Sequence, residues 1–406
     1  MQQPTSPRYV LALLLAVNLL NYIDRQVLFA VFPLVKADLR LSDTALGFLG
    51  SAFMFCYMLS APLFGWLGDR TRRPRLAAAG LGIWSIATAS AGIARSYGTL
   101  LAARTAVGVG EASFGTVSPG LLADFFPRES RGRILSWFYL AIPVGSAVGY
   151  LAGGLIGHSL GWHAAFLMVG LPGLLLVLPL LRLREPTRGD APAEPQGTDT
   201  GPASYGALFA NRSFILNTLA MAAMTFALGG LAQWLPSFLN RVHGLDVARG
   251  NTLFGGITVV AGILGTLTGG WLGDRFQRRS SRGYLLVSGW GLLLGAPIAF
   301  FALASPGLTG CLAAIFWAEF FLFLNTGPLN TVIVNVTRPE VRAMAFAANI
   351  FFIHLLGDAI SPTIIGWLSD QWGLQTALLV APAAIVLAAL FCFLCCRVIK
   401  GDTIET

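Results

Sequence analysis

The chain has 406 residues, of which 55% are hydrophobic and 11% charged, against about 25% charged residues in an ordinary soluble chain. Twenty-seven Lys and Arg against 19 Asp and Glu give a net charge of +8, and the mean hydropathy is +0.70. So sparse a polar complement excludes a soluble enzyme and a disulfide-stapled secreted domain, and the +8 has to be read by its placement before its sign.

A bilayer-spanning helix needs about 20 mainly apolar residues. In chain order such stretches are predicted at 9–35, 44–68, 76–94, 98–126, 132–158 and 162–181, then at 213–239, 250–274, 283–304, 308–337, 342–368 and 374–396. Strands of a membrane barrel are shorter and alternate in polarity, so these spans are helices. The first is a span and not a removable signal, being too long and lacking a small-residue cleavage site. Between the sixth and seventh, residues 184–210 are rich in Pro, Gly, Ala, Thr and Asp and cannot bury a core. The expected organisation is an N-terminal six-helix bundle (1–183), a cytoplasmic linker (184–210) and a C-terminal six-helix bundle (211–406). The fold class is an all-α membrane protein, twelve transmembrane helices in two pseudo-symmetric six-helix bundles.

Twenty of the 27 basic residues fall on one face: Arg8, the run Arg70 to Arg75, Arg128 to Arg133, Arg182 to Arg212, Arg275 to Arg282, Arg338, Arg342, Arg397 and Lys400. Lys36, Arg40, Arg95, Arg241 and Arg249 lie on the other, and Arg25 and Arg104 lie inside spans. The positive-inside rule then makes both termini cytoplasmic, as in a protein of the bacterial inner membrane. The excess charge is a topology signal, and no nucleic-acid partner is expected. Cys56, Cys311, Cys392, Cys395 and Cys396 all sit in or beside apolar runs, so no metal site is expected. No P-loop and no nucleophile–base pair is present, so the chain reads as a non-enzyme with no cofactor other than a coupling proton.

The two halves repeat each other. GWLGDR occurs at Gly65–Arg70 and at Gly270–Arg275; Glu129-Ser130-Arg131 is echoed by Glu340-Val341-Arg342, and GWHAAFLM at 161–168 by GLQTALLV at 373–380. Parallel repeats of this kind place a substrate site between the halves near the midplane. The GWLGDR loops continue with Arg72 and Arg73 in one copy and Arg278 and Arg279 in the other, and Arg104, Gly108 and Gly110 form R-x-x-x-G-x-G. With these motifs the chain resembles the major facilitator superfamily. Asn21-Tyr22-Ile23-Asp24-Arg25, Gly108-Val109-Gly110-Glu111-Ala112-Ser113, Ala141 to Ser146, Ala318-Glu319, Asn325 and His354 to Pro362 narrow the resemblance to its spinster family. That resemblance implies proton-linked transport of lysophospholipids or sphingoid-base phosphates.

An ionisable side chain at mid-membrane costs about 2.5–3.5 kcal/mol on insertion scales, so each one calls for a reason. Asn18, Asn21, Tyr22 and Arg25 share one stripe of the first span, with Asp24 one residue around. Arg104 and Glu111 stand two turns apart on one face of the fourth. Arg25 and Arg104, with Asn21 and Tyr22, are candidates to hold an anionic headgroup, while Asp24 and Glu111, answering to Arg104, are candidates to carry the proton. A static ion pair that only fixes helix packing is the competing reading. His354, Asp358 and Ser361 share a face of the eleventh span, as a proton relay or as a pin for the helix. Glu319, amid Phe316, Trp317, Phe320 and Phe321, and Asn325 are further substrate-binding candidates.

Asp69, Arg70 and Arg73 in one GWLGDR loop, and Asp274, Arg275 and Arg278 in the other, read as conformational latches that favour an outward-open state. The stripes Gly145, Gly149, Gly153 and Gly265, Gly269, Gly273 read as close helix contacts at the seam between halves. Trp84, Trp137, Phe138, Tyr139, Trp234, Phe351 and Phe352 are available to line a cavity or the core. The expected function is a proton-coupled secondary transporter working by alternating access on an amphipathic, lipid-like substrate. A proton-linked exporter of drugs or small organic anions, and a non-transporting receptor or scaffold on the same fold, are the alternatives. The expected partners are that substrate and membrane lipid, and the expected state is a monomer.

Overall fold

The computed structural model describes residues 6–126, 134–135, 137–185, 205–337 and 342–402, and no strand occurs among them. Two compact units divide the chain, one of residues 1–194 with 239–255, the other of 195–238 with 256–406. The first contains α1 (Pro7–Ala30), α2 (Phe32–Leu39), α3 (Asp43–Arg70), α4 (Arg73–Ala91), α5 (Tyr97–Asp124), α6 (Ala141–Leu160) and α7 (Trp162–Leu181). After the short α8 (Tyr205–Ala210) come α9 (Arg212–Arg241) and α10 (Val247–Gln277), whose facing ends at 239–255 pack with the first unit. The second unit continues with α11 (Gly283–Ala304), α12 (Leu308–Phe323), α13 (Thr326–Val336), α14 (Arg342–Ile353), α15 (Ser361–Trp372), α16 (Leu374–Ala377) and α17 (Val380–Asp402).

Ten stretches among the described residues are long and apolar enough to cross a membrane by length and composition. The two expected spans outside that set are α4, made largely of Ala, Gly and Ser, and α5, which carries Arg104 and Glu111. In the first unit α4 packs against α5 and α7, α3 against α5, and α1 against α6; in the second, α11 packs against α12 and α17. The third span therefore meets the fourth and sixth in each unit, which is the sequence duplication expressed as packing.

Backbone turns repeat as well. Gly161 and Gly373, which open the paired GWHAAFLM and GLQTALLV stretches, have φ/ψ of 85/161° and 79/156°, a region that favours glycine. Arg40 (φ 51°) and Gly244 (φ 67°) form a second left-handed pair. Two residues beyond each, a side chain caps the next helix: Ser42 Oγ accepts from Ala45 N at 3.1 Å, and Asp246 Oδ1 from Arg249 N at 2.8 Å.

Several spans are interrupted where an unbroken helix is expected from hydropathy, the twelfth among them between α16 and α17. The first breaks at Val31, ahead of Pro33, which cannot donate to the preceding turn. The tenth divides between α12 and α13, where Asn325 turns its amide back onto Phe321 O at 2.6 Å and Leu322 O at 3.3 Å. The eleventh passes through a π-turn at His354–Asp358, with Gly357 outside helical φ/ψ.

The glycine stripes close on helices of their own unit, not across a seam as expected. A Cβ on Gly145 would meet Tyr22 Cβ at 2.8 Å, one on Gly149 Ile23 O at 2.6 Å, and one on Gly153 Ala30 Cβ at 2.7 Å, so the α6 stripe seats α1. Gly265 and Gly273 receive Phe323 and Tyr284 in the same way. Trp84 and Trp234 are core residues, Trp234 donating from Nε1 to Pro362 O at 3.1 Å, whereas Trp137 and Phe351 are exposed.

Candidate functional site

The R-x-x-x-G-x-G run of α5 fixes the centre of the first unit. A Cβ at Gly110 would stand 2.7 Å from Trp84 N, and Gly108 lies equally close to the α3 backbone at Phe53 and Tyr57. These glycines admit α4 and α3 to contact, and α3 brings the Phe53 and Tyr57 rings beside the charges of α1 and α5.

Those charges pair crosswise between α1 and α5. Arg25 Nε stands 2.6 Å from Glu111 Oε2, with Arg25 17% and Glu111 0% exposed at the side chain. Asp24, one residue around α1, turns to Arg104, whose Nη1 is 3.7 Å from Asp24 Oδ1, beyond hydrogen-bond length. Thr88 of α4 donates to Asp24 Oδ2 at 2.5 Å. The Arg25 guanidinium lies over the rings of Tyr22, Phe53 and Tyr57 at 5.0–5.1 Å, and that of Arg104 over Phe53 at 5.2 Å. Asn21 is buried next to Glu111.

Arg104 is the anomaly of this centre. It is fully buried, yet Nε, Nη1 and Nη2 have no hydrogen-bond partner among the described residues, and neither do Asp24 Oδ1 and Glu111 Oε1. Buried donors left unmade cost about 1–3 kcal/mol each. An arrangement with this much unused hydrogen-bonding capacity fits an anionic group that enters and leaves.

In the second unit His354 Nδ1 and Asp358 Oδ1 pair at 2.8 Å within the π-turn, half-buried, with Asp358 against Gly229. Glu319 is buried and accepts from Thr258 Oγ1 at 3.0 Å, while its Oε2 has no partner among the described residues. Asn325 is buried with its amide committed to its own helix. Thus Asp24, Arg25, Arg104, Glu111, Asn21 and Tyr22 come together in one place, while Glu319, Asn325 and the His354–Asp358 pair occupy separate positions.

In the loop after α3, the Asp69 side chain lies outside the described residues. Arg70 stacks on Trp66 at 4.3 Å, and Arg73 pairs with Asp124 and, at 2.5 Å, with Glu185. Burial alone would lower the pKa of Arg73, but these two carboxylates outweigh it and the net shift is upward. In the second copy Asp274 accepts from Tyr284 Oη at 2.8 Å, Arg275 lies 5.8 Å over Trp271, and Arg278 is exposed. Sequence reasoning missed Thr88, Phe53, Tyr57, Asp124 and Glu185, which carry no motif of their own. It also missed the tie of Asp43, which binds Lys36 Nζ at 2.5 Å and Arg241 Nη1 at 2.7 Å. Asn251 Nδ2 adds a bond to Ala30 O at 3.0 Å, and Phe254 stacks edge-on to Tyr150 at 4.9 Å.

Membrane-length helices in two units, with paired charges buried between them in the first, describe an integral membrane carrier. The family model of the Major Facilitator Superfamily matches residues 14–362. Protein spinster homolog 1 of Xenopus tropicalis is 37% identical over 384 residues, 89% of this chain and 73% of that protein; the Homo sapiens protein of the same name is 36% identical over 390 residues, 91% and 74%. The crystal structure of a bacterial homolog to the human lysosomal transporter spinster, inward-facing and unoccupied, matches with a TM-score of 0.90 and 26% identity over 100% of both chains. A D-xylose-proton symporter shares the fold alone, with a TM-score of 0.74 and 18% identity over 95% of this chain and 97% of that one. The chain belongs to the spinster family of the major facilitator superfamily, a family of transporters and not of enzymes.

Proposed function

We propose that this spinster-type transporter is proton-coupled and works by alternating access, carrying an amphipathic, lipid-like molecule of lysophospholipid or sphingoid-phosphate type. The observation that carries the reading is Arg104: a fully buried guanidinium whose donors meet no acceptor among the described residues. An anionic headgroup supplies acceptors of the right charge and geometry. The likeness to a bacterial homolog of a lysosomal transporter supports the carrier class.

Coupling follows from neutrality. Asp24, Arg25, Arg104 and Glu111 carry two charges of each sign, so an entering anion leaves the site one charge negative where water is scarce. A proton restores the balance. Glu111 is the better recipient, because its cation Arg25 is the partly exposed member of the pair and lies on aromatic faces along which it turns toward a headgroup. Once Arg25 has turned, Glu111 is a buried carboxylate without its hydrogen-bonded cation, left to share the more distant Arg104 with Asp24. Anion and proton then raise each other's affinity by reciprocity. The Asp43–Arg241 tie holds 239–255 on the first unit and releases in the part of the cycle when that segment leaves it.

The test is counterflow in proteoliposomes with a lysophospholipid, a sphingoid phosphate and a cationic drug, each with and without an imposed pH gradient. Glu111→Gln is expected to bind the lipid substrate as before and to ignore the gradient. A full response to the gradient by this variant would sink the coupling argument. Movement of the drug alone would replace the lipid reading with a drug exporter.

A further inference from the structure

The loop between α3 and α4 borders an open cavity of about 740 Å³ lined by Arg70, Thr71, Arg72, Arg75, Leu76, Ala79 and Glu185. Its lining holds three guanidiniums and one carboxylate, and that carboxylate is already spent. Glu185 Oε1 takes Arg73 Nε at 2.5 Å, and its Oε2 takes Arg73 N at 3.1 Å. Arg72 and Arg75 are exposed and have no acidic partner among the described residues. Three basic side chains thus stand around one hollow with no anion of the described protein left for two of them.

The apolar part of the hollow's lining is Leu76 and Ala79 of α4, and Arg70 joins the hollow to the exposed face of α3. Trp66 is 52% exposed and carries Arg70 on its ring, and Leu63 and Leu59 continue the same face of α3 at 55% and 75% exposure. Positions 59, 63 and 66 form one stripe, and Ile83 and Ile86 give α4 a similar exposed face. An indole at the rim with guanidiniums above it and leucines below is the order a bilayer presents in reverse: headgroup, interface, chain. The second GWLGDR copy repeats this rim, with Arg275 5.8 Å over Trp271, itself 62% exposed, and Leu267 and Leu264 exposed below it. Its arginines make no ion pair among the described residues, and Tyr284 occupies Asp274.

We propose that this hollow binds a membrane phospholipid with a net negative headgroup, its phosphate held by Arg70, Arg72 and Arg75 and an acyl chain lying along Trp66, Leu63 and Leu59. Arg73 shapes the site from behind by turning Glu185 away from the ligand. The site is separate from the buried charges of α1 and α5, and stands whether or not the transport reading does.

The experiment uses the full-length protein, purified in a zwitterionic detergent and stripped of lipid, titrated with phosphatidylglycerol, phosphatidylcholine and free glycerol phosphate while bound lipid is counted by native mass spectrometry. Each basic residue near an anionic surface contributes about 1 kcal/mol, so Arg72→Ala/Arg75→Ala is expected to weaken phosphatidylglycerol about thirtyfold. Arg95→Ala/Arg249→Ala, which removes two exposed arginines outside the hollow, is expected to leave it unchanged. Unfolding curves without lipid confirm that both variants fold. Equal binding of phosphatidylcholine, equal weakening by the two double variants, or full competition by glycerol phosphate would each overturn the proposal.

Discussion

Replacing Arg25 with Met removes the cation that stands 2.6 Å from Glu111 and leaves the carboxylate with 0% exposure and no ion-pair partner. Breaking a buried ion pair from one side costs about 3–5 kcal/mol, because the charge that stays behind is uncompensated. The two sides are unequal here. Glu111→Gln leaves a cation with 17% exposure and three aromatic faces within 5.1 Å. Each such face returns about 0.5–1 kcal/mol, so this variant is expected to lose about 1–2 kcal/mol. Arg25→Met leaves Glu111 only the more distant Arg104, which Asp24 also faces, and belongs at the upper end of the range. The double variant is expected to lie within about 1 kcal/mol of the wild type, since it carries neither charge. Thermal unfolding in a mild detergent between about pH 5 and about pH 9 reads all three. The Arg25→Met deficit is expected to be greatest at high pH and to shrink as pH falls, because a neutral carboxylic acid needs no cation. The double variant should show no such slope. A deficit indifferent to pH, or a double variant as unstable as Arg25→Met, would refute the reasoning.

Thr88→Val removes the hydrogen bond donated to Asp24 Oδ2 and is expected to cost about 1–3 kcal/mol in the same unfolding assay. Asp43→Asn loosens the tie to Lys36 and Arg241, so amide hydrogen exchange over 239–255 should quicken while the rest of the first unit holds its protection. Gly161→Ala, Gly244→Ala and Gly373→Ala each place a Cβ in open space but at positive φ, so each is expected to lose about 1–2 kcal/mol from the backbone alone. Gly256→Ala, also in open space but inside α10, should gain about 0.5–1 kcal/mol; a loss there would show that the backbone is not what decides these positions.

Hydropathy located the helices, and the GWLGDR and GWHAAFLM repeats located the duplication, because both signals are local in the chain. The same local view missed what depends on a partner helix. Arg104 and Glu111 stand two turns apart on α5 and invite pairing with each other. In the fold each meets its opposite on α1, because Asp24 and Arg25 diverge by about 100° around that helix. The glycine stripe of α6 was legible as a close contact, but its partner α1 was not, since a small residue says how near a helix comes and not which one. Pro33 could have marked the break after α1, whereas the π-turn at His354–Asp358 has no comparable mark. The left-handed pair escaped notice because one member is Arg40 and only the other is a glycine.

The crossed ion pairs also bear on how the chain is made. α1 leaves the ribosome with Asp24 and Arg25, and the helix that neutralises them follows 86 residues behind. At 5–20 residues per second that interval is on the order of ten seconds, during which two unpaired charges stand in or beside the insertion machinery. α5 has the converse problem, since with Arg104 and Glu111 it lies outside the set of stretches long and apolar enough by composition to cross a membrane. Each helix thus supplies what makes the other admissible to lipid, so the fifth helix enters against the first and not independently of it. A charge reversal at any one of the four positions is a fault of biogenesis before it is a fault of transport.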